Sequence, residues 1–258
     1  MNNAWIRCFA PRPQANVRLI CFSYAGAGAS VFRLWHTELP STIEVCAVQL
    51  PGRESRLDEA PLTTMSAVVS GLLAVMQPLL DRPFALFGHS MGALVASELA
   101  RALQQRGGPE PALLLLSARR SPATPDTEAV THLLEHDAFV AEIDRRYGGI
   151  PKEVMAHREL MELLVPALRA DMAVMETHRP ELQPPLHAPI HVFGGDADAR
   201  VRREDLEAWR PLTCGGFRVT TLPGDHFFVN SRRTELLALV AERLHPIVAA
   251  ASGTRVTV

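Results

Sequence analysis

The sequence predicts an α/β protein with a mostly parallel central sheet and helices on both faces. Three observations carry this prediction. Short runs of Val, Ile, Leu and Phe recur along the chain and are apolar at nearly every position, as strands buried on both faces are. Longer amphipathic stretches with helical spacing separate them, and right-handed crossovers place such helices on both sides of a sheet. The chain has 258 residues, enough for one such domain with a large core.

Taken in order, strands are expected at Val17–Ser23, Glu44–Gln49, Phe84–Phe87, Ala112–Ser117, Ile190–Phe193 and Phe217–Leu222. Helices are expected at Val31–Glu38, after a loop of Gly, Ala and Ser, and at Met65–Leu80, after Thr63-Thr64. A third, Met91–Gln105, stops at Gly107-Gly108, and Glu204–Trp209 and Thr234–Leu244 complete the alternation. Residues from Ala249 to Val258 read as a frayed tail. The interval from Ser121 to Pro189 breaks the rhythm: it has no strand pattern but several helical ones, such as Thr131–Arg145 and Glu153–Glu176. Pro122, Pro125, Gly148-Gly149, Pro151, Pro180 and Pro184-Pro185 punctuate it. The expected organisation is one domain over 1–258 with a helical lid insertion at about 121–189, following the strand whose C-terminal end faces the site. Structural helices packed on a sheet edge are the alternative.

Composition narrows the function. The formal net charge of -2 leaves no global basic field for nucleic acid. The N-terminal residues lack a basic start followed by an apolar stretch, and no apolar run approaches the roughly 20 residues of a membrane span. Cys8, Cys21, Cys46 and Cys214 show no paired spacing, and Cys21 and Cys46 lie in apolar runs as buried thiols do. These features point to a cytoplasmic protein without nucleic-acid or membrane partners.

The most informative stretch is Leu86-Phe87-Gly88-His89-Ser90-Met91-Gly92-Ala93-Leu94. A buried strand runs directly into Gly-x-Ser-x-Gly, and an apolar helix follows at once. This is the nucleophile elbow of the α/β-hydrolase fold, in which small residues two before and two after the serine let strand and helix approach. The turn lifts the Ser90 hydroxyl above the sheet and aims the Met91 amide, at the helix start, at an oxyanion forming beside it. The second amide of an oxyanion hole comes from the loop after an early strand, here Ser23 to Ser30, and Ala25 is the expected donor. That loop has neither the third glycine of a dinucleotide fingerprint nor the Gly-Lys-Ser/Thr of a phosphate loop. No metal ligand or cofactor-binding residue is assigned.

A serine hydroxyl needs an adjacent base, and in this fold the acid and then the histidine follow the serine along the chain. Of ten histidines, His226 lies between the last expected strand and the final helix, where the base belongs. His89 reads as structural support at the elbow. His132, His136, His157 and His178 read as lid-surface residues, and His245 as the end of the final helix. The acid follows the strand Ile190–Phe193, where Asp198 fits Gly-x-x-Asp followed shortly by an apolar anchor; Asp196 is the alternative, otherwise serving the turn. Asp225 reads as fixing the histidine loop.

The chain resembles the type II thioesterases, free-standing editing enzymes of nonribosomal peptide and polyketide synthases. The resemblance covers nearly the whole chain. It rests on Phe22-Ser23-Tyr24-Ala25-Gly26-Ala27-Gly28-Ala29-Ser30 with Phe32 and Trp35, and on Gln49-Leu50-Pro51-Gly52-Arg53-Glu54-Ser55-Arg56. It continues through the elbow, Ser117-Ala118-Arg119-Arg120-Ser121-Pro122, Gly195-x-x-Asp198 with Trp209, and Gly224-Asp225-His226-Phe227-Phe228. The chain departs from the family in reading Ala-Gly-Ala-Gly in the first loop, and Ala199 where a proline is common. The resemblance implies hydrolysis of acyl or aminoacyl thioesters held on the phosphopantetheine arm of acyl or peptidyl carrier proteins, by a monomer with no cofactor of its own. Arg53, Arg56, Arg119 and Arg120 are either contacts for an acidic carrier or the arm's phosphate, or internal and solvated loop charges. Met155, Met161, Met172 and Met175 either line an acyl channel or belong to the core. A small-molecule carboxylesterase or lipase, an acyltransferase and an inactive binding protein of the same fold are the competing readings.

Overall fold

The computed structural model describes residues 4–124, 128–150 and 152–253. Pro125, Pro151 and the tail from 254 onward lie outside the described residues. The strands are β1 (Ile6–Arg7), β2 (Val17–Phe22), β3 (Ile43–Val48), β4 (Phe84–His89), β5 (Leu113–Ser117), β6 (Ile190–Gly195) and β7 (Phe217–Leu222). They form one sheet in the order β1-β3-β2-β4-β5-β6-β7, parallel except for β1, which pairs antiparallel with β3 through Ile6 and Val48. Five of the six expected strands have every residue buried. The last, β7, is an edge strand in which only Leu222 is fully buried and both faces carry half-buried or exposed residues, so its buried-on-both-faces reading does not hold.

Along each inner strand, alternate residues serve opposite layers, as the period of two requires. Ile20, Phe22, Leu86, Leu114 and Val192 pack under α2 (Met65–Met76) and α3 (Met91–Gln105). Leu19, Cys21, Ala85, Phe87 and Leu115 pack with Trp35 of the short α1 (Trp35–Glu38) and with the long C-terminal helix. A third cluster, containing Phe139, Ile143, Met161, Val165 and Met172, belongs to the helices between β5 and β6. These are α4 (His136–Tyr147), α5 (Lys152–Met155) and α6 (Arg158–Thr177). The remaining helices are α7 (Arg203–Glu207), α8 (Phe228–Ser231) and α9 (Arg233–Gly253).

Several expected helices end elsewhere, each for a physical reason. The run Val31–Glu38 is a 3-10 turn over Ala29–Phe32 followed by α1. α2 tightens to a 3-10 turn over Gln77–Leu79 because Pro78 has no amide to donate. Residues 131 and 132 stay outside α4, since the Glu176 carboxylate takes their amides at 2.8 and 3.0 Å. The expected helix Glu153–Glu176 is two, with a break before Arg158. α9 runs past His245 and through Pro246 to Gly253, carried by Ile247 and Val248 against the core, so the frayed tail begins later than expected. By length and composition α9 also passes as a membrane span, which its short apolar runs did not suggest. In the fold it buries Leu236, Leu237, Val240 and Leu244 against the sheet.

The order of strands fixes where a site can form. From β2 the chain steps outward to β3, then returns to β4 on the other side of β2. The direction of winding reverses between β2 and β4, which opens a crevice at their C-terminal ends. The loop after β2 and the turn after β4 both face it.

Candidate active site

Ser90 is the single residue between β4 and α3, with φ +55 and ψ -113. A non-glycine residue held there is strained, and the surroundings must over-determine it. They do. The Ser90 amide donates to the Ser117 carbonyl at the end of β5, 2.8 Å away. A Cβ on Gly88 would meet the Gly92 backbone, and a Cβ on Gly92 would meet the Phe22 carbonyl at the end of β2. Both glycines are therefore required for strand, turn and helix to pack this closely.

The Ser90 hydroxyl is 3.0 Å from His226 Nε2, and His226 Nδ1 is 2.8 Å from Asp198 Oδ2. All three residues are buried. The second Asp198 oxygen accepts the amides of Arg200 and Val201 at 2.8 and 3.2 Å, and Val201 is itself buried as the apolar anchor. With Asp198 ionised, Nδ1 carries the proton and Nε2 is free to accept from Ser90. Asp196, the alternative acid, is exposed, and its Oδ1 accepts the Gly224 amide at 2.9 Å. Asp225 Oδ1 accepts the Phe227 amide, also at 2.9 Å, bracing the histidine loop.

His89 points away from the hydroxyl and beneath the loop. Its Nε2 donates to the His226 carbonyl and its Nδ1 accepts from the Ser117 hydroxyl, each at 2.9 Å. Burial holds this imidazole well below its ordinary pKa, so it stays neutral and keeps this tautomer. Tyr24 and Phe228 pack edge-on against its ring.

Above the hydroxyl lies a cavity lined by the first loop (Tyr24 to Ala27), by Ser90 and His226, and by residues of α4 and α6 such as Ile143, Leu168 and Met172. The helices between β5 and β6 thus form its roof. Met161, Met172 and Met175 line it, and Met161 and Met172 are core residues of the roof as well. Met155 does not line it and packs inside the helical cluster instead. Ala25 lies on the cavity wall. Among the described residues, the Ala25 and Met91 amides donate no hydrogen bond, whereas the Gly26 amide donates to Asp171 Oδ2 at 2.7 Å and that of Ala27 to the Tyr24 carbonyl at 3.1 Å.

The loop arginines divide. Arg53 and Arg56 are buried, so the reading of them as contacts for a carrier gives way to internal ion pairs. Arg53 pairs with Asp171 of α6, and Arg56 pairs with Glu59 and lies 4.5 Å over the Trp5 ring. Arg119 and Arg120 are half-buried, and the Arg119 carbonyl accepts from Trp209 Nε1. His132 and His178 are not on the roof's surface: they are half-buried beside Glu176 and Glu98, while His136 and His157 are exposed. Two further residues near the site carry no motif of their own in the sequence. Tyr147 packs its ring against His226, and Asp171 reaches the first loop.

The model of the thioesterase domain family matches residues 17–245. The gramicidin S biosynthesis protein GrsT of Aneurinibacillus migulanus is 40% identical over 96% of both chains. Thioesterase PikA5 of Streptomyces venezuelae is 37% identical over 93% of this chain and 85% of its own. The structure of BorB, a type II thioesterase from the borrelidin biosynthetic cluster, superposes with a TM-score of 0.84 at 35% identity, covering 95% of this chain and 98% of that one. The chain therefore belongs to the thioesterase family, as a thioester hydrolase of the type II group that serves nonribosomal peptide and polyketide pathways.

Proposed function

We propose that this enzyme hydrolyses aberrant or stalled acyl and aminoacyl thioesters from the phosphopantetheine arm of carrier proteins, through Ser90, His226 and Asp198. The observation that carries the reading is the continuous relay from Asp198 to His226 to the Ser90 hydroxyl, at 2.8 and 3.0 Å, beneath an apolar cavity. His226 takes the Ser90 proton as the serine oxygen attacks the thioester carbonyl. The amides of Ala25 and Met91 hold the oxyanion, and the tetrahedral intermediate collapses to an acyl-serine as His226 passes its proton to the departing thiolate and becomes neutral again. A thiol with a pKa of about 8.5 leaves with little proton assistance. Water, deprotonated by His226, then attacks the acyl-serine, and the acid is released as the proton returns to Ser90. The roof formed by α4–α6 acts as a lid over the acyl group, and the protein itself contributes no cofactor.

The test is a panel of acyl and aminoacyl groups on candidate carrier proteins beside matched p-nitrophenyl esters, with Ser90→Ala as the control. Carrier-bound thioesters are expected to turn over faster than the free esters, and Ser90→Ala to lower kcat by on the order of 10⁶. Preference for the free esters would replace this reading with a carboxylesterase, and near-full activity in Ser90→Ala would remove the serine mechanism.

A further inference from the structure

Asp171 sits in the middle of α6, 1% exposed, among the apolar residues that turn this helix inward. A carboxylate there loses its hydration and must be matched. Its partners come from two separate loops. Arg53 makes a bidentate pair with it, Nη1 to Oδ2 at 2.5 Å and Nη2 to Oδ1 at 2.8 Å, and Oδ2 also accepts the Gly26 amide at 2.7 Å. The clamp extends further along the first loop. Arg53 Nη1 reaches the Ala27 carbonyl at 3.4 Å, and the Arg53 carbonyl accepts from Gln49 Nε2 at 3.0 Å. Gln49 Oε1 in turn accepts the Ala29 amide at 2.9 Å.

A buried pair of this kind is weak as a source of stability, because desolvation offsets most of its attraction. Its placement is more informative than its energy. The residues it fixes, Gly26, Ala27 and Ala29, follow Ala25 along the loop; Ala25 lies on the cavity wall, and its amide donates no hydrogen bond among the described residues. Gly26 adopts φ +77, and a Cβ there would lie 3.2 Å from the Leu168 side chain of α6. Leu168 and Met172, on either side of Asp171, line the same cavity. One helix therefore both walls the acyl chamber and holds the loop that presents the oxyanion donor.

We propose that Asp171, together with Arg53, is a positioning residue for the oxyanion hole, coupling the seating of α6 over the acyl group to the alignment of the Ala25 amide. This rests on the thioesterase mechanism above. Loss of the clamp leaves the cavity and the Asp198–His226–Ser90 relay in place but loosens one oxyanion donor. The effect then falls on the transition state rather than on substrate binding.

The experiment compares the full-length wild type with Asp171→Asn, Arg53→Lys and Arg53→Gln on one acyl thioester. Active sites are titrated, and inhibition by a trifluoromethyl ketone analogue that forms a tetrahedral serine adduct is measured. Asp171→Asn is expected to lower kcat per active site by about 10- to 100-fold, with KM within about threefold of wild type. Affinity for the ketone should fall in parallel with kcat. Arg53→Lys should retain more kcat than Arg53→Gln. A folded Asp171→Asn with wild-type kcat, or with an unchanged ketone affinity, overturns the proposal. If Asp171→Asn does not fold, the Arg53 pair decides, and equal kcat and ketone affinity in both variants overturn it. A wild type that hydrolyses no thioester refutes the mechanism on which the proposal rests. An active wild type with unaffected variants refutes the coupling alone.

Discussion

Two aspartates lie two residues apart on the loop after β6, and their surroundings give them different work. Asp198 is buried, faces His226 Nδ1, and has its other oxygen occupied by two amides. Asp196 is exposed and ties its own loop to the histidine loop through Gly224. Asp198→Asn should therefore present the wrong hydrogen-bonding partner to the imidazole and lower kcat by on the order of 10⁴. Asp196→Asn, which keeps an acceptor for the Gly224 amide, should stay within about threefold of wild type. Steady-state kinetics of the two variants on one thioester separates the roles. His89 makes a different kind of contribution, because it touches the His226 carbonyl and Ser117 rather than the reacting atoms. His89→Phe fits the aromatic surroundings but leaves that carbonyl and hydroxyl unpaired. The expected loss is about 1–3 kcal/mol for each stranded group, read from chemical denaturation.

At the scale of elements, the elbow is set by contacts between backbones. Gly88→Ala would force β4 from the α3 backbone, and Gly92→Ala would force α3 from the end of β2. Both variants are expected to lose labelling of Ser90 by a fluorophosphonate together with thermal stability; full labelling in a stable variant would show that the turn has slack. This element was legible in the sequence because so close an approach of strand and helix demands small residues on both sides of the serine, at a fixed spacing. The five inner strands were legible for a similar reason, since burial on both faces leaves a continuous apolar run. β1 was not, because two residues carry no periodicity and its pairing partner lies some forty residues away, at Val48 and Ala47. The edge position of β7 was visible only as Arg218, Thr220 and Thr221 interrupting its apolar residues. Asp171 left a fainter signal. It falls with Ala167, Ala170 and Val174 on one buried stripe of α6, so a charge at helical spacing among apolar positions marked it as internal. Its partner in the first loop, 145 residues away in the chain, is set by tertiary packing and carries no local pattern.

At the scale of the whole molecule, the reversal of winding between β2 and β4 gathers the loop after β2, the elbow, the acid loop and the histidine loop at one end of the sheet. Stability of that sheet has its own dependence on pH. His191 is buried in β6, with Nε2 2.8 Å from the Thr220 hydroxyl of β7 and its ring against Phe193. Burial first, then the positive charges of Arg243 and Arg218, lower its pKa from 6.5 to about 4. Above pH 6.5 the imidazole is neutral in both the folded and the unfolded chain, and its contribution to stability is fully present. As pH falls from 6.5 towards 4, the unfolded chain binds a proton that the folded chain refuses, so unfolding gains and stability falls. His191→Gln keeps a side-chain amide near Thr220 but cannot titrate in this range. The wild type should lose more of its urea midpoint than His191→Gln between about pH 7.5 and about pH 5. His89, also held neutral by burial, is present in both proteins and acts in the same direction. The difference between the two curves therefore isolates His191, and parallel curves would show that this imidazole is protonated in the fold without cost.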